Sequence, residues 1–336
     1  MPLGSSLPTE RILEVLSSAY GIEAIELTFL PIGADLSSSV YKAQAKDGRY
    51  FVKVKHSYDH DTSAAIATLL QNAQIEQVIF PVKTLQGLQS QKMGDWTLLV
   101  FPFIEGEDGL CRELTNQQWI DLGRALRQIH EIEVPISLQK QIRQETYSDR
   151  WCKAVRWLFK NFDVVSADGD IALKVLKLLK EKKAVIDRLV SRAQQLGEQL
   201  KKQSANFVLC HGDIHGGNVL IDKKGHLYIV DWDDPIMAPK ERDLMFIGGG
   251  VANRWNRPDE EKYFYQGYGP TEIDQAILTY YRYERIVEDI ALYCQELMFA
   301  VGEDRDKGKS YQEFIDIFNP NGVVDIAFKT DVNLSI

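Results

Sequence analysis

The stretch from Phe207 to Asp234, FVLCHGDIHGGNVLIDKKGHLYIVDWDD, sets Asp213 five residues before Asn218. It places His211 two residues ahead of that carboxylate and Asp231 at the end of the apolar run LYIVD. A carboxylate can take the proton from a hydroxyl, and an amide oxygen with a second carboxylate suits a hard cation that keeps several waters. These types in this order match phosphoryl transfer, in which one Asp orients and deprotonates the attacking hydroxyl. The Asn and the second Asp then hold Mg²⁺ on a triphosphate. Two other readings use the same residues. His211, Asp213 and His215 could converge on a metal from a suitable strand or loop, or Asp213 and Asn218 could bond their own backbone in a polar turn. Asp231 after a short hairpin favours phosphoryl transfer, and no second ligand cluster in the sequence supports the metal.

Holding such residues requires strands that end where the chemistry begins. Apolar runs flank the polar turn, and Lys223-Lys224-Gly225 closes a hairpin that would bring Asp231 to face Asn218. Upstream, ERILEVLSSAYGI has a helical rhythm that stops near Gly21. AIELTFLPIG and SSVYKAQAKDGRYFVKVK then read as strands, with Asp47-Gly48 as a hairpin turn. Tyr50, Val52 and Val54 alternate with Phe51, Lys53 and Lys55, so Lys53 must reach water or meet an anion. The intervening PIGADLSSS, with Gly33 and Ser37, Ser38 and Ser39, lacks the P-loop pattern. It reads as a polar turn or as a hairpin covering phosphates through backbone N–H groups.

A helix is expected over 61–71, strands at VIFPVKT and WTLLVFPFI, and a turn at Met93-Gly94-Asp95. The acidic segment Glu105-Gly106-Glu107-Asp108-Gly109 reads as a linker. Helices dominate beyond it: one opened by a Thr115/Gln118 capping box, then helices near 149–162, 171–202, 259–267, 273–298 and 311–318. The expected architecture is α+β, with a small β-rich lobe over 1–104 and a larger, mainly helical lobe over 105–336.

The 336 residues suffice for a substantial core, and 45% hydrophobic with 26% charged content is ordinary for a globular protein. A net charge of −9 argues against a general nucleic-acid surface and weakly favours cationic ligands. Cys111, Cys152, Cys210 and Cys294 are scattered without a C-x-x-C pair, as expected of inert thiols in a reducing compartment. The start shows no basic region followed by an apolar core, and no apolar run reaches spanning length. A cytoplasmic protein with no membrane or nucleic-acid partner is expected.

H-G-D-I-H-G-G-N-V-L-I followed by I-V-D-W-D-D resembles the aminoglycoside phosphotransferase family, whose fold is similar to that of the protein kinases. The resemblance runs from near Tyr20 to near Thr330. It implies a bilobal protein-kinase-like fold, ATP and Mg²⁺ as cofactors, Asp213 as the base, and Asn218 and Asp231 as metal ligands. It makes His211 a structural member of the loop and Lys53 of F-V-K-V-K the lysine on the nucleotide phosphates. Gly33, Ser37 and Ser38 would cover those phosphates, and the hinge from Phe101 through Pro102, Phe103 and Ile104 would meet adenine. A-P-K-E-R-D-L-M-F-I-G-G-G and R-I-V-E-D-I look most like members that phosphorylate spectinomycin. Other members act on choline, methylthioribose, homoserine or fructosamines.

The sequence departs from the family pattern in places. The glutamate that normally partners the kinase lysine has no counterpart on the small-lobe helix, which leaves Asp61 as the candidate, and Gly33 is the one glycine over the phosphates. The short separation of Asp231 and Asp243 leaves no room for a peptide-binding activation segment and points to a small-molecule acceptor. An acidic, aromatic wall for a cationic acceptor would draw on Asp233, Asp234, Trp255, Tyr281, Glu284, Glu288 and Asp289. The alternative is that Arg282, Arg285, Glu284, Glu288 and Asp289 form intrahelical or core ion pairs. Asp243 in E-R-D-L is expected to hold the catalytic loop. A metabolic small-molecule kinase and a nucleotide-binding pseudokinase scaffold remain the competing functions.

Overall fold

The computed structural model describes residues 8–30, 38–56, 62–161, 169–251, 254–299, 307–332 and 334. Its packing separates into two units. One comprises Met1–Glu113, Ile132–Arg143 and Gly217–Pro235, and the other Leu114–Glu131, Gln144–Gly216 and Ile236–Ile336. The first break comes after Glu113 rather than after Ile104, and the hairpin carrying Asn218 and Asp231 packs with the N-terminal residues.

In the first unit, β1 (Ala24–Leu30), β2 (Ser38–Ala45), β3 (Arg49–His56), β4 (Gln91–Met93) and β5 (Trp96–Pro102) form an antiparallel sheet. Its order is β1-β2-β3-β5-β4. Val52 and Val54 of the central strand β3 are buried with Leu98 and Val100 of β5, in a core that also takes Ile12 and Leu16 of α1 (Thr9–Tyr20). The period of two then puts Lys53 and Lys55 on the other face of β3. The β2–β3 turn closes where Asp47-Gly48 predicts, with the Ala45 N–H donating to the Gly48 carbonyl at 2.8 Å.

Two expectations fail in this unit. VIFPVKT is not a strand: Val78 makes one isolated bridge, to Ile229, and the outer strand is Gln91–Met93. Pro81 within the run supplies no N–H for a ladder, which is the physical reason the apolar pattern misleads. The acidic linker is also ordered. Gly106–Asp108 forms β6, antiparallel to Val219–Asp222, which pairs in turn with Leu227–Ile229. Glycine is required there because a Cβ at 106 would stand 2.2 Å from the Ile221 carbonyl oxygen.

The second unit is built from helices. Thr115 and Gln118 form the reciprocal capping box that opens Asn116–His130. That helix lies against Pro258–Tyr268 at backbone-to-backbone range. A Cβ on Gly123 would meet the Phe264 carbonyl oxygen at 2.1 Å, and one on Gly267 would meet that of Ile120 at 1.9 Å. A Gly123→Ala enzyme is therefore expected to lose about 1–3 kcal/mol of unfolding free energy, because the added methyl can displace only backbone. A denaturant midpoint measures this, and an unchanged midpoint contradicts the contact. The long helices Asp170–Leu200 and Gln275–Phe299 pack together, with Arg150–Lys160 against both. Val208–Cys210 and Ile236–Ala238 make a short antiparallel pair, and Val208–Cys210 packs against Asn116–His130. No described helix is long and apolar enough to cross a membrane.

Candidate active site

The pair Val208–Cys210 and Ile236–Ala238 delivers the chain into His211-Gly212-Asp213. Gly212 takes φ +88°, a conformation that glycine adopts without steric cost. The N–H groups of His211 and Gly212 both donate to the Asp243 carboxylate, at 2.9 and 2.7 Å. Asp243 is fully buried. Burial pushes its carboxyl up, but the His130 ring 3.1 Å away and the loop's own N–H groups outweigh that and hold it below the usual carboxylate range. The other His130 ring nitrogen lies 2.8 Å from the Tyr268 hydroxyl. His130 and Tyr268 come from the two helices that meet through Gly123 and Gly267, so that close contact holds the loop carrying Asp213 through Asp243.

This arrangement argues against the metal readings. The Asp213 N–H donates to His211 Nδ1 at 3.3 Å, which folds the ring into its own loop. Among the described residues His130, Cys210 and Asp243 do lie close enough to share an ion. The Cys210 thiol, however, donates to the carbonyls of Ala238 and Pro239, and burial pushes its pKa well up, away from the thiolate that a metal needs.

Asp213 forms an ion pair with Arg285, and His215 Nε2 stands 3.3 Å from its other oxygen. Burial raises the carboxyl's pKa, but the charges of Arg285 and His215 outweigh that and hold it far below the ordinary range. Arg285 comes from Gln275–Phe299, where its Nε donates to Asp289 at 2.9 Å. The i,i+4 spacing of that intrahelical pair is legible in sequence; its reach to Asp213, 72 positions away, is not.

Several residues expected on the acceptor wall are engaged inside this unit. Trp255 is only 3% exposed and packs edge-on against Trp119, with ring centroids 4.8 Å apart, so it is a core residue. Tyr281 is fully buried and donates its hydroxyl to Glu145 at 3.1 Å. Glu284 accepts from Arg242 at 2.9 Å, and Glu288 lies 3.7 Å from Arg150. The ion-pair alternative therefore describes Glu284, Arg285 and Asp289. Burial is the first reason the Glu284 carboxyl is raised; Arg242 opposes it, and Glu288 and Glu145 add to it.

In the first unit Lys53 meets anions. Its Nζ is 2.9 Å from Asp231 Oδ1 and also pairs with Asp233, which lies 3.6 Å from Lys55. Burial alone would lower the Lys53 pKa, but Asp233 and Asp231 hold it above the usual lysine range. Asp233 is thus part of a lysine cluster rather than an acceptor wall, and Asp234 beside it is exposed. Asp231 itself takes φ +65°, strained for a residue with a Cβ, and the Val230 N–H donates to the Asn218 carbonyl at 3.0 Å. The hairpin therefore brings the 218 and 231 ends of its strands together. The Asn218 amide oxygen and the half-exposed Asp231 carboxylate are hard oxygen donors of the kind that suits Mg²⁺.

In the segment expected to meet adenine, the Phe103 N–H donates to the Arg49 carbonyl at 3.0 Å. Ser38 opens β2 opposite Lys55. Gly33, Ser37 and Asp61 lie outside the described residues. Sequence reasoning missed the Lys53–Asp233 pair, although the alternation on β3 signalled that an anion was needed.

The profile of the phosphotransferase enzyme family matches residues 28–276. The solved structure of spectinomycin phosphotransferase, APH(9)-Ia, in complex with ADP and spectinomycin is 40% identical, covering 97% of this chain and 99% of that one, with a TM-score of 0.90. Protein StrN of Streptomyces griseus is 26% identical over 258 residues, 71% of this chain and 74% of its own length. An aminoglycoside phosphotransferase from Alicyclobacillus acidocaldarius, 12% identical with a TM-score of 0.65 over 99% of this chain and 98% of its own, shares the fold.

Proposed function

The chain belongs to the phosphotransferase enzyme family, with its protein-kinase-like α+β fold, and we propose that it moves the γ-phosphoryl group of ATP to a hydroxyl of spectinomycin or a related aminocyclitol. The observation that carries this reading is the 40% identity, over nearly the whole of both chains, to a phosphotransferase solved with ADP and spectinomycin.

The contacts around Asp213 and Lys53 support the residue roles in this reading. Asp213 accepts the proton of the acceptor hydroxyl, its loop held rigid by Asp243. Lys53 is fully charged and poised to exchange carboxylate oxygens for phosphate oxygens. Asn218 and Asp231 would hold Mg²⁺, which neutralises charge on the nucleotide's phosphates when bound. At the hinge, Pro102 has no N–H and that of Phe103 is engaged by Arg49, so donation to adenine falls to Ile104. Gly33, Ser37 and Ser38 would cover the nucleotide's phosphates. Glu288, 3.7 Å from Arg150, offers charge to a cationic acceptor. Use of ATP is in keeping with a cytoplasmic enzyme.

A panel of hydroxyl acceptors with ATP consumption as the readout tests this reading. Spectinomycin is expected to turn over faster than choline, methylthioribose, homoserine or a fructosamine. Turnover of choline or a sugar with none of any aminocyclitol would sink it.

A further inference from the structure

Taking that transfer reaction and its nucleotide as premise, strand β3 carries a second lysine with a part in it. Lys53 and Lys55 share one face of β3, about 7 Å apart along the strand. Lys55 is only 8% exposed, and its Nζ donates to the Ser63 hydroxyl at 2.8 Å, at the start of the helix Ser63–Asn72. A buried ammonium is costly unless an anion stands near it. Asp233 supplies one: its Oδ2 pairs with Lys53 and its Oδ1 lies 3.6 Å from Lys55 Nζ. Asp231 takes a further place on Lys53, at 2.9 Å. Among the described residues two lysines thus face two aspartates, and their four charges sum to zero. Phosphates arriving at Lys53 upset that balance. An ammonium has donors enough for phosphate and carboxylate together, but a carboxylate left at Lys53 repels the phosphates. The charge of Asp231 is assigned to Mg²⁺. Asp233 has no such assignment, and Lys55 is the cation already beside it.

We propose that Lys55 is a positioning residue that retains Asp233, leaving the charge of Lys53 to the nucleotide's phosphates. On nucleotide binding the Asp233 carboxylate shifts from Lys53 toward Lys55, between which its two oxygens already stand. Ser63 keeps the Lys55 ammonium at that end of the cluster. Lys55 itself touches no phosphate. Without it Asp233 stays on Lys53, and the cluster presents a net negative charge to an anionic ligand.

Calorimetric titration with ADP in EDTA tests this with neither acceptor nor metal, at about 0.15 M salt so that distant charges are screened. Lys55→Met keeps the apolar stem of the side chain and is expected to weaken ADP binding about fivefold or more. Lys55→Arg keeps the cation and is expected to stay near the parent. Asp233→Asn removes the carboxylate that needs retaining and is expected to bind ADP at least as tightly as the parent. In that Asp233→Asn background the Lys55→Met change is expected to weaken ADP at least about threefold less than it does in the parent. A lysine that pulled on the phosphates directly would cost the same in both backgrounds. Equal weakening in the two backgrounds therefore overturns the proposal, as does parent affinity in Lys55→Met. If Lys55→Met does not fold, weaker ADP binding in Asp233→Asn than in the parent overturns it equally. Failure of the parent itself to bind ADP is a distinct result, which strikes the phosphotransfer reading and this proposal with it.

Discussion

Asp213→Asn lowers the rate of transfer by about two to four orders of magnitude while nucleotide affinity stays at the parent value. Asparagine keeps the size of the side chain and an oxygen for Arg285, and the backbone N–H groups of the loop still reach Asp243. What disappears is the lone pair able to accept the hydroxyl proton. Nucleotide binding is assigned to Lys53, Asn218 and Asp231, none of which the substitution alters. The loss should therefore fall on kcat, and single-turnover kinetics with nucleotide titration check it. A variant that retains transfer within about tenfold of the parent removes Asp213 from the role of base.

Asp231→Asn raises the Mg²⁺ concentration needed for half-maximal activity, on the order of tenfold or more. The substitution removes the one charged oxygen ligand of the proposed pair and weakens the hold on Lys53, 2.9 Å away. Its backbone cost is small, because asparagine tolerates the φ of +65° at this position at least as well as aspartate does. Excess Mg²⁺ should restore part of the activity, which distinguishes lost affinity from a disordered site. An Mg²⁺ titration that superimposes on the parent's contradicts the assignment.

The legible parts of this molecule were those in which neighbours in sequence are neighbours in space. The Asp47-Gly48 turn and the Thr115/Gln118 cap both act over a few residues. The alternation around Lys53 showed that a charge on an apolar strand needed an anion. It could not show that the anions would be Asp231 and Asp233, because Lys53 and Asp231 lie 178 positions apart and no period connects them. The same holds for Arg285 and Asp213 and for Arg242 and Glu284. Trp255 and Tyr281 were misread because an aromatic residue near an acidic run looks alike on a pocket wall and in a core; burial separates the two. VIFPVKT failed for a related reason, since a short apolar run identifies burial before it identifies a strand. The linker failed because Gly106 looks permissive in sequence, whereas here it is the residue small enough to pair beside Ile221.

The most direct test is the identity of the product. The protein incubated with ATP, Mg²⁺ and spectinomycin, followed by ³¹P NMR and mass spectrometry, should yield ADP and spectinomycin heavier by one phosphoryl group. The new phosphorus resonance should be that of a monoester and be absent with Asp213→Asn. ADP accompanied only by inorganic phosphate, or spectinomycin recovered unmodified while another hydroxyl compound is phosphorylated, would contradict the account.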